Sequence, residues 1–372
     1  MPAESIVIEF AGEEDPDLYA DVAGLEVELS DEGPASFRLS LRLYRRPEDG
    51  SWAYLDEERF RVWSEVAIRL GYADAGPEEV LSGYVTRVTP RFARDEGQSV
   101  LEVWGMDSAV RMDREERLKA WPNKKDADIA AEILASHGFA AEVEDTPVVH
   151  DEALSTVVQR ETDYRFLRRL ALRNGFACWV EGTTGHFGPV PADPEPQPLL
   201  AAHFGAETTL RSFTATVDGL RPAAVSMYQV DRLTGEVLTA EVESAAREPL
   251  GALDAAALLS AGDGAGRVYV AKNAATGAPE MTALCQGLFH EGAWLVSGEG
   301  EVDALAYAHV LRPRATVTIK GVGESYSGVW YVSWVRHVVG PDGYTQQFRA
   351  RRDALLPTGD EDFGGGGGLG LL

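Results

Sequence analysis

The sequence predicts a mainly β chain with α+β insertions, built on a duplicated antiparallel β-barrel. Three observations carry this. Apolar residues fall on every second position from Phe37 to Leu43, the period of a strand with one buried face. A similar series of strands and turns returns near the C-terminus. Between them lie two stretches with helical spacing and clear stop signals.

In order along the chain, Phe37, Leu39, Leu41 and Leu43 point to one buried face and the residues between them are polar. Val66, Ile68 and Leu70 repeat the alternation, and strands at 81–88 and 100–104 follow turn-like stretches rich in Gly, Pro and Asp. Short strands with short connections suggest a small barrel. The spacing changes near residue 110. Asp126 is placed to cap a helix carrying Ile129, Ile133 and Leu134 on one stripe, which Gly138 ends. Thr162 caps a second, with Phe166, Leu167 and Leu170 at helical spacing and Asn174-Gly175 as its stop. Its Arg165, Arg168, Arg169 and Arg173 read as a solvated face. A strand at 176–180 leads to five prolines between Gly188 and Pro198, the composition of a stiff extended linker. Strands resume at 208–217 and 222–230, and the Ala-rich stretch 239–265 reads as a loosely packed insertion. Pro279 opens a short helix, then strands are expected at 294–302, 315–320, 329–339 and 344–351.

The two β-rich ends share an order of features. Ala67 to Gly71, Ser82-Gly83, a strand to Val88, a turn at Asp95-Glu96-Gly97 and a strand to Trp104 make one series. Val317 to Gly321, Ser327-Gly328, a strand through Val335, a turn at Pro341-Asp342-Gly343 and a strand to Arg351 make the other. Duplication or convergence of two hairpins would each give this pattern; duplication also explains the shared order. Residues 60–105 and 312–352 are then expected to superpose, with both Ser-Gly steps at strand starts. Three copies of such a chain present six similar units around one axis, a ring that can match a sixfold partner.

Composition narrows the function. The 372 residues carry a net charge of −26, from 60 acidic against 34 basic side chains, so a nucleic-acid backbone would meet repulsion. The first 37 residues hold eleven acids and no Lys, Arg or His, which reads as a solvated acidic surface. Solubility in salt is a second reading of that charge, and 29 arginines against five lysines points to genome composition or habitat. Cys178 and Cys285 are far apart in apolar surroundings and read as buried free thiols. The N-terminus lacks a basic leader with an apolar stretch, so cytoplasmic synthesis without a signal peptide is expected.

No catalytic, cofactor or metal site is legible. The histidines at 137, 150, 186, 203, 290, 309 and 337 sit singly, without metal-ligand spacing. Gly365, Gly367 and Gly370 match a dinucleotide fingerprint in form, but neither strand nor helix flanks them. A G-x-S-x-G elbow is absent. With 60 acids, a glycosidase-type carboxylate pair remains the main enzyme alternative; a carbohydrate-binding adhesin is the other.

Several stretches resemble the late control protein D family of phage tails, which includes the hub of contractile baseplates and the N-terminal half of the type VI spike protein VgrG. They are 80–88, Trp104-Gly-Met-Asp107, the helix start at Asp126, 158–170, 296–302, Leu311-Arg-Pro313, Ile319 to Gly323 and 326–332. The resemblance implies two related barrels with two small inserted domains: a first barrel at 1–110, an α+β insertion at 111–200, a second barrel at 201–235 and 303–355, and a second insertion at 236–302. A flexible Gly-rich tail would occupy 356–372. It implies a non-enzymatic homotrimer, without cofactors, joining an inner tube protein to a separate spike protein inside a baseplate with wedge components, in a phage tail or injection particle. The separate spike is expected because nothing foldable follows residue 355. The tail is expected to dock on that spike through Phe363, Leu369, Leu371 and Leu372, since five glycines make a tether and leucines favour an apolar surface.

Overall fold

The computed structural model describes residues 4–72, 76–153, 156–190, 195–222, 224–231, 234–244, 247–259, 266–270, 275, 277–341 and 343–363. The chain opens with β1 (Glu4–Phe10), β2 (Val22–Ser30), β3 (Ser36–Arg42), β4 (Glu65–Tyr72), β5 (Gly76–Arg91) and β6 (Val100–Asp107). The middle holds β7 (Glu116–Trp121), α1 (Asp126–Ser136), β8 (Ala140–Val143), β9 (Val157–Thr162), α2 (Asp163–Arg173), β10 (Phe176–Glu181) and β11 (Thr184–Pro189). There follow β12 (Gln197–Ala201), β13 (Leu210–Val217), β14 (Ala224–Val230), β15 (Val237–Val242), β16 (Arg267–Val270), α3 (Ala278–Gly292), β17 (Val296–Val302), β18 (Thr316–Lys320), β19 (Gly328–Gly340) and β20 (Gly343–Arg352).

The duplication is visible in the sheet order. The first six strands lie as β2-β3-β6-β5-β4-β1, and the C-terminal six as β13-β17-β20-β19-β18-β12. In each set the second, third, sixth, fifth, fourth and first strand in chain order are neighbours. Even an irregularity recurs: β5 bulges against β6 between Val85 and Arg87, and β19 against β20 between Val332 and Trp334, which bends both long strands alike. One difference is the first strand, antiparallel to its partner in β1–β4 and parallel in β12–β18. The two sets fuse where β2 pairs with β19, Leu25 opposite Val339 through Ser30 opposite Trp334.

The Ser-Gly steps are not equivalent in the way expected. Ser327-Gly328 does open β19, but Ser82-Gly83 lies inside β5, because β5 runs on toward its hairpin with β4. The glycines also answer different demands. A Cβ on Gly83 would lie 2.0 Å from the Met106 carbonyl, whereas Gly328 has φ +129 and faces the Arg352 guanidinium.

Four apolar clusters organise the chain. One fills the first strand set, including Ile8, Leu39, Ile68 and Val103; one fills the second, including Leu200, Trp330 and Phe348. A third joins α1 and α2 to the three-stranded sheet β8-β11-β10. The fourth packs α3 on the sheet β15-β14-β16. Two strands therefore change place relative to the expected boundaries. The 224–230 strand, read into the second barrel, pairs instead with β15 and β16, burying Val225 and Met227 under α3. The 296–302 strand, read into the second insertion, sits in the main sheet between β13 and β20. Alternation alone cannot say which sheet a strand joins.

Local corrections follow the same logic. Lys125 is the N-cap of α1, and Asp126 is its buried first residue. Thr162 caps α2 as read, accepting from the Arg165 N–H, and Gly175 takes positive φ after Asn174. Arg173, read as solvated, is folded inward onto Asp126. The end of the Pro-rich run is not a free linker, since Gln197–Ala201 pairs with β18; residues 191–194 lie outside the described residues. The acidic opening segment is partly structural: Glu26 pairs with Arg336 and Arg38, and buried Asp31 pairs with Arg351 at 2.5 Å.

Candidate functional site

The strand order leaves two openings, and these are the chain's most distinctive chemistry. The first is β13, the end of the main sheet, which pairs only with β17 among the described residues. Its Phe213, Ala215 and Val217 pack against the second core, while Ser212, Thr214 and Thr216 are exposed. It carries no lysine or proline, the usual guards of an edge whose backbone groups are unpaired.

The second opening is on β5. Its partner β4 covers it only as far as Tyr84, opposite Glu65, and Val85 exchanges backbone bonds with Trp63 and Ser64. Beyond that point 86–91 have β6 on one side and, among the described residues, no strand on the other. The corresponding strand β19 is covered throughout, by β18 over 328–331 and by β2 over 334–339. Exposed apolar groups gather at the open stretch: Phe92 is 55% exposed, and Val62 and Trp63 are exposed too. Trp63 is held there with φ 72, under the Arg114 guanidinium at 4.2 Å.

Two clefts flank the inserted elements. One, of about 800 Å³, is lined by Glu79, Asp107, Glu181, His186 and Arg314. Trp179 stacks on His186 with centroids 4.6 Å apart, and Arg314 lies 5.4 Å over the Trp179 ring. Burial raises the Asp107 carboxyl to about 6, against N–H bonds from Ala35 and Ala109 that favour its charged form. Both its oxygens thus already serve the backbone, and a free general acid is not presented. The other cleft, of about 480 Å³, is lined by Arg168, Arg247, Arg351 and Trp294, with Arg247 and Arg351 over the Trp294 ring. Cys178 borders it, fully buried, with its thiol pushed up to about 12 by burial, which makes it inert.

Sequence spacing missed one cluster. Asp126, His150, Arg173 and Asn174 meet the second insertion's Glu280 in a buried group. Arg173 Nε donates to Asp126 Oδ2 at 2.6 Å, Asn174 donates to the same oxygen at 2.7 Å, His150 Nε2 lies 3.0 Å from Asp126 Oδ1, and Arg173 Nη1 lies 3.9 Å from Glu280. Burial pulls the Asp126 carboxyl up, but the bonds from His150, Arg173 and Asn174 outweigh it and hold it at about 2. Among the described residues no group of three or more His, Cys, Asp or Glu is arranged to hold a metal ion; here a guanidinium takes the centre. Of the tail residues, the Phe363 carbonyl accepts a bond from buried Lys320 Nζ at 3.2 Å; Leu369, Leu371 and Leu372 lie outside the described residues.

The fold is that of known phage-tail proteins. The 43 kDa tail protein of prophage MuSo2 from Shewanella oneidensis superposes with TM-score 0.70 at 14% identity, over 95% of this chain and 100% of that one. The tail protein from Neisseria meningitidis MC58 gives 0.66 at 13%, over 95% and 98%. A type VI secretion component of E. coli, with structural similarity to T4 tail proteins gp27 and gp5, gives 0.56 at 13%, over 93% and 76%. No curated protein sequence matches. A family model, that of the Alg8 N-terminal domain, matches residues 43–340. That span runs from β4 through β19, well over half of the chain, and the chain belongs to the Alg8 N-terminal domain family.

Proposed function

We propose that the chain is a structural ring subunit of a phage-type tail or injection device: a homotrimeric hub joining the inner tube to a separate spike, without enzymatic activity. The observation that carries this is the whole-chain match to two tail proteins, over 95% of this chain and 98% or more of each of theirs. The internal duplication adds to it, since three copies supply six like strand sets to a sixfold tube. The late control protein D resemblance supports the same reading, and wedge components would surround the ring. In this reading the barrels are the two strand sets, the first insertion is 111–196 rather than 111–200, since β12 joins the second set, and the second is 218–295 rather than 236–302. No helix of the described residues is long and apolar enough to cross a membrane, and the hub would be carried in the assembled particle.

Mass measurement at micromolar concentration is expected to give three chains per particle. A one-chain mass, both alone and with tube and spike proteins, would end the hub reading. Purified protein is also expected to show no turnover of peptidoglycan or peptides; activity that disappears on changing one Asp or Glu would favour the glycosidase alternative. The tail is proposed as a spike contact, starting from the Lys320–Phe363 anchor. Deleting 364–372 is expected to leave the trimer intact and weaken spike co-purification, and unchanged spike retention would discard the contact.

A further inference from the structure

The cleft of about 800 Å³ is walled by three parts of the chain: residues 79–82 from β5, 179–182 from β10 and the turn after it, and 312–315 ahead of β18. Two of its lining side chains are nine-tenths buried and still offer a donor. Tyr164 is 3% and Trp179 8% exposed, and both line the cleft. Among the described residues neither the Tyr164 hydroxyl nor the Trp179 Nε1 has a hydrogen-bond partner. Buried donors are costly unless something accepts from them, so a pair of them facing one space points to a ligand that brings acceptors.

The charges of the lining divide into those already engaged and those that are not. Arg312 donates to the Glu78 carboxylate and the Glu79 carbonyl, Arg314 donates to the Ser30 carbonyl, and His186 Nδ1 lies 3.2 Å from Glu142. Glu79, Glu144 and Glu181 are exposed, and among the described residues no basic side chain pairs with any of the three. The Glu79 carboxylate leans toward the far wall, since a Cβ on Gly182 would lie 3.8 Å from its Oε1. The missing ligand chemistry is therefore twofold: acceptors for two donors and cations for three carboxylates.

We propose that this cleft binds an extended basic segment of a partner protein, whose backbone carbonyls accept from Tyr164 and Trp179 while its lysine or arginine side chains meet Glu79, Glu144 and Glu181. Other ligand classes meet only half of the requirement. An indole N–H can only donate, so a polyamine leaves Trp179 without an acceptor. A neutral saccharide leaves the carboxylates without a cation, and a phosphate or nucleic acid would be repelled by them. The volume is within the range of ligand pockets, room for a few residues of chain. A segment seated there touches both strand sets and the first insertion at once. The proposal does not depend on the ring reading, because every group it uses belongs to one chain.

The probes are acetylated, amidated hexapeptides of alanine and serine carrying two lysines at each spacing, with the matching glutamate set and a neutral glucose oligosaccharide for comparison. Calorimetric titration of the full chain is expected to show saturable binding, one site per chain, for at least one lysine peptide and for neither the glutamate peptides nor the sugar. Tyr164→Phe and Trp179→Phe each keep a ring and remove one donor, and each is expected to weaken that peptide about 2- to 10-fold, the size of one neutral hydrogen bond. Either variant suffices should the other fold poorly. Glu79→Gln with Glu181→Gln is expected to weaken it about 10-fold, as two partly exposed ion pairs would, whereas Glu48→Gln with Glu115→Gln, exposed acids outside the cleft, should leave it unchanged. No binding of any lysine peptide would overturn the proposal. Equal weakening by the Glu48 and Glu115 pair would overturn it too, by showing attraction to the overall negative charge alone. Unaltered affinity in both aromatic variants would place the peptide outside the cleft, and tighter binding of the sugar would assign the cleft to a saccharide instead.

Discussion

Replacing Arg173 with leucine is expected to destabilise the fold by about 3–5 kcal/mol, the loss typical of removing one partner from a buried ion pair. Arg173 contacts both Asp126 and Glu280, whose side chains are 5% and 10% exposed. Leucine fills similar space but takes the guanidinium away from two carboxylates at the meeting of α1, α2 and α3. The Asp126 carboxyl, now held at about 2, should rise, because desolvation would no longer be opposed by the guanidinium. Arg173→Lys keeps the charge but loses the two-nitrogen grip on Asp126, so a smaller loss is expected. Urea midpoints of the three proteins at one concentration give the ranking. A loss below about 1 kcal/mol for the leucine variant would show that water reaches the cluster and screens it.

A second large effect is expected in acid. His337 is fully buried on β19, with Nδ1 2.8 Å from the Tyr344 hydroxyl. Burial, assisted by the positive charge of Arg312, lowers the imidazole to about 3, against about 6.5 in an unfolded chain. The folded form stays neutral while the unfolded chain takes up a proton. This contribution is therefore intact above pH 6.5 and falls as pH drops from 6.5 toward 3. At pH 5 the gap of 1.5 pH units corresponds to about 2 kcal/mol. Asp107 acts the other way. Its carboxyl, raised to about 6, binds a proton in the fold before the unfolded chain does, so acid between pH 6 and about 3.8 favours the fold through that residue. The raw stability curve is consequently flatter than either term. His337→Gln isolates the imidazole, since it retains a neutral polar group near Tyr344. Between pH 7.5 and pH 5 the unaltered protein should lose about 2 kcal/mol more than this variant in urea unfolding; parallel curves would mean that the ring is protonated or hydrated inside the fold.

Much of the framework was legible in the residues. Phe37, Leu39 and Leu41 are buried as their alternation requires, and α2 runs from its Thr162 cap to Asn174-Gly175. Cys178 and Cys285 are free and buried. The parts that were not legible share a cause. Arg173 looked like its neighbours on α2 because helical spacing records which residues share a face, not what packs on that face, and α3, which brings Glu280, lies about a hundred residues away. The Ser-Gly steps matched by eye, yet one glycine is needed for close approach of β6 and the other for positive φ beside Arg352. Exposed apolar residues such as Leu220, 95% exposed, carry no local mark that separates them from core leucines.

By itself the sequence determined the local elements, because strand alternation, caps and turn residues act within a few positions. It also pointed to a duplication, because the two β-rich ends repeat one order of signals, and the shared strand order of the two sets then appears in the sheet. Only the tertiary structure decided which strand lies beside which. Backbone ladders pair through N–H and C=O groups that every residue shares, so nothing in Val22–Ser30 names β19, some 300 residues on, as its partner. The choice is made by which faces can be buried together, as Leu25 with Val339 and Val27 with His337 are. The same physical fact leaves β13 and the far half of β5 with a strand on one side only among the described residues, a condition that no local signal in either segment announces.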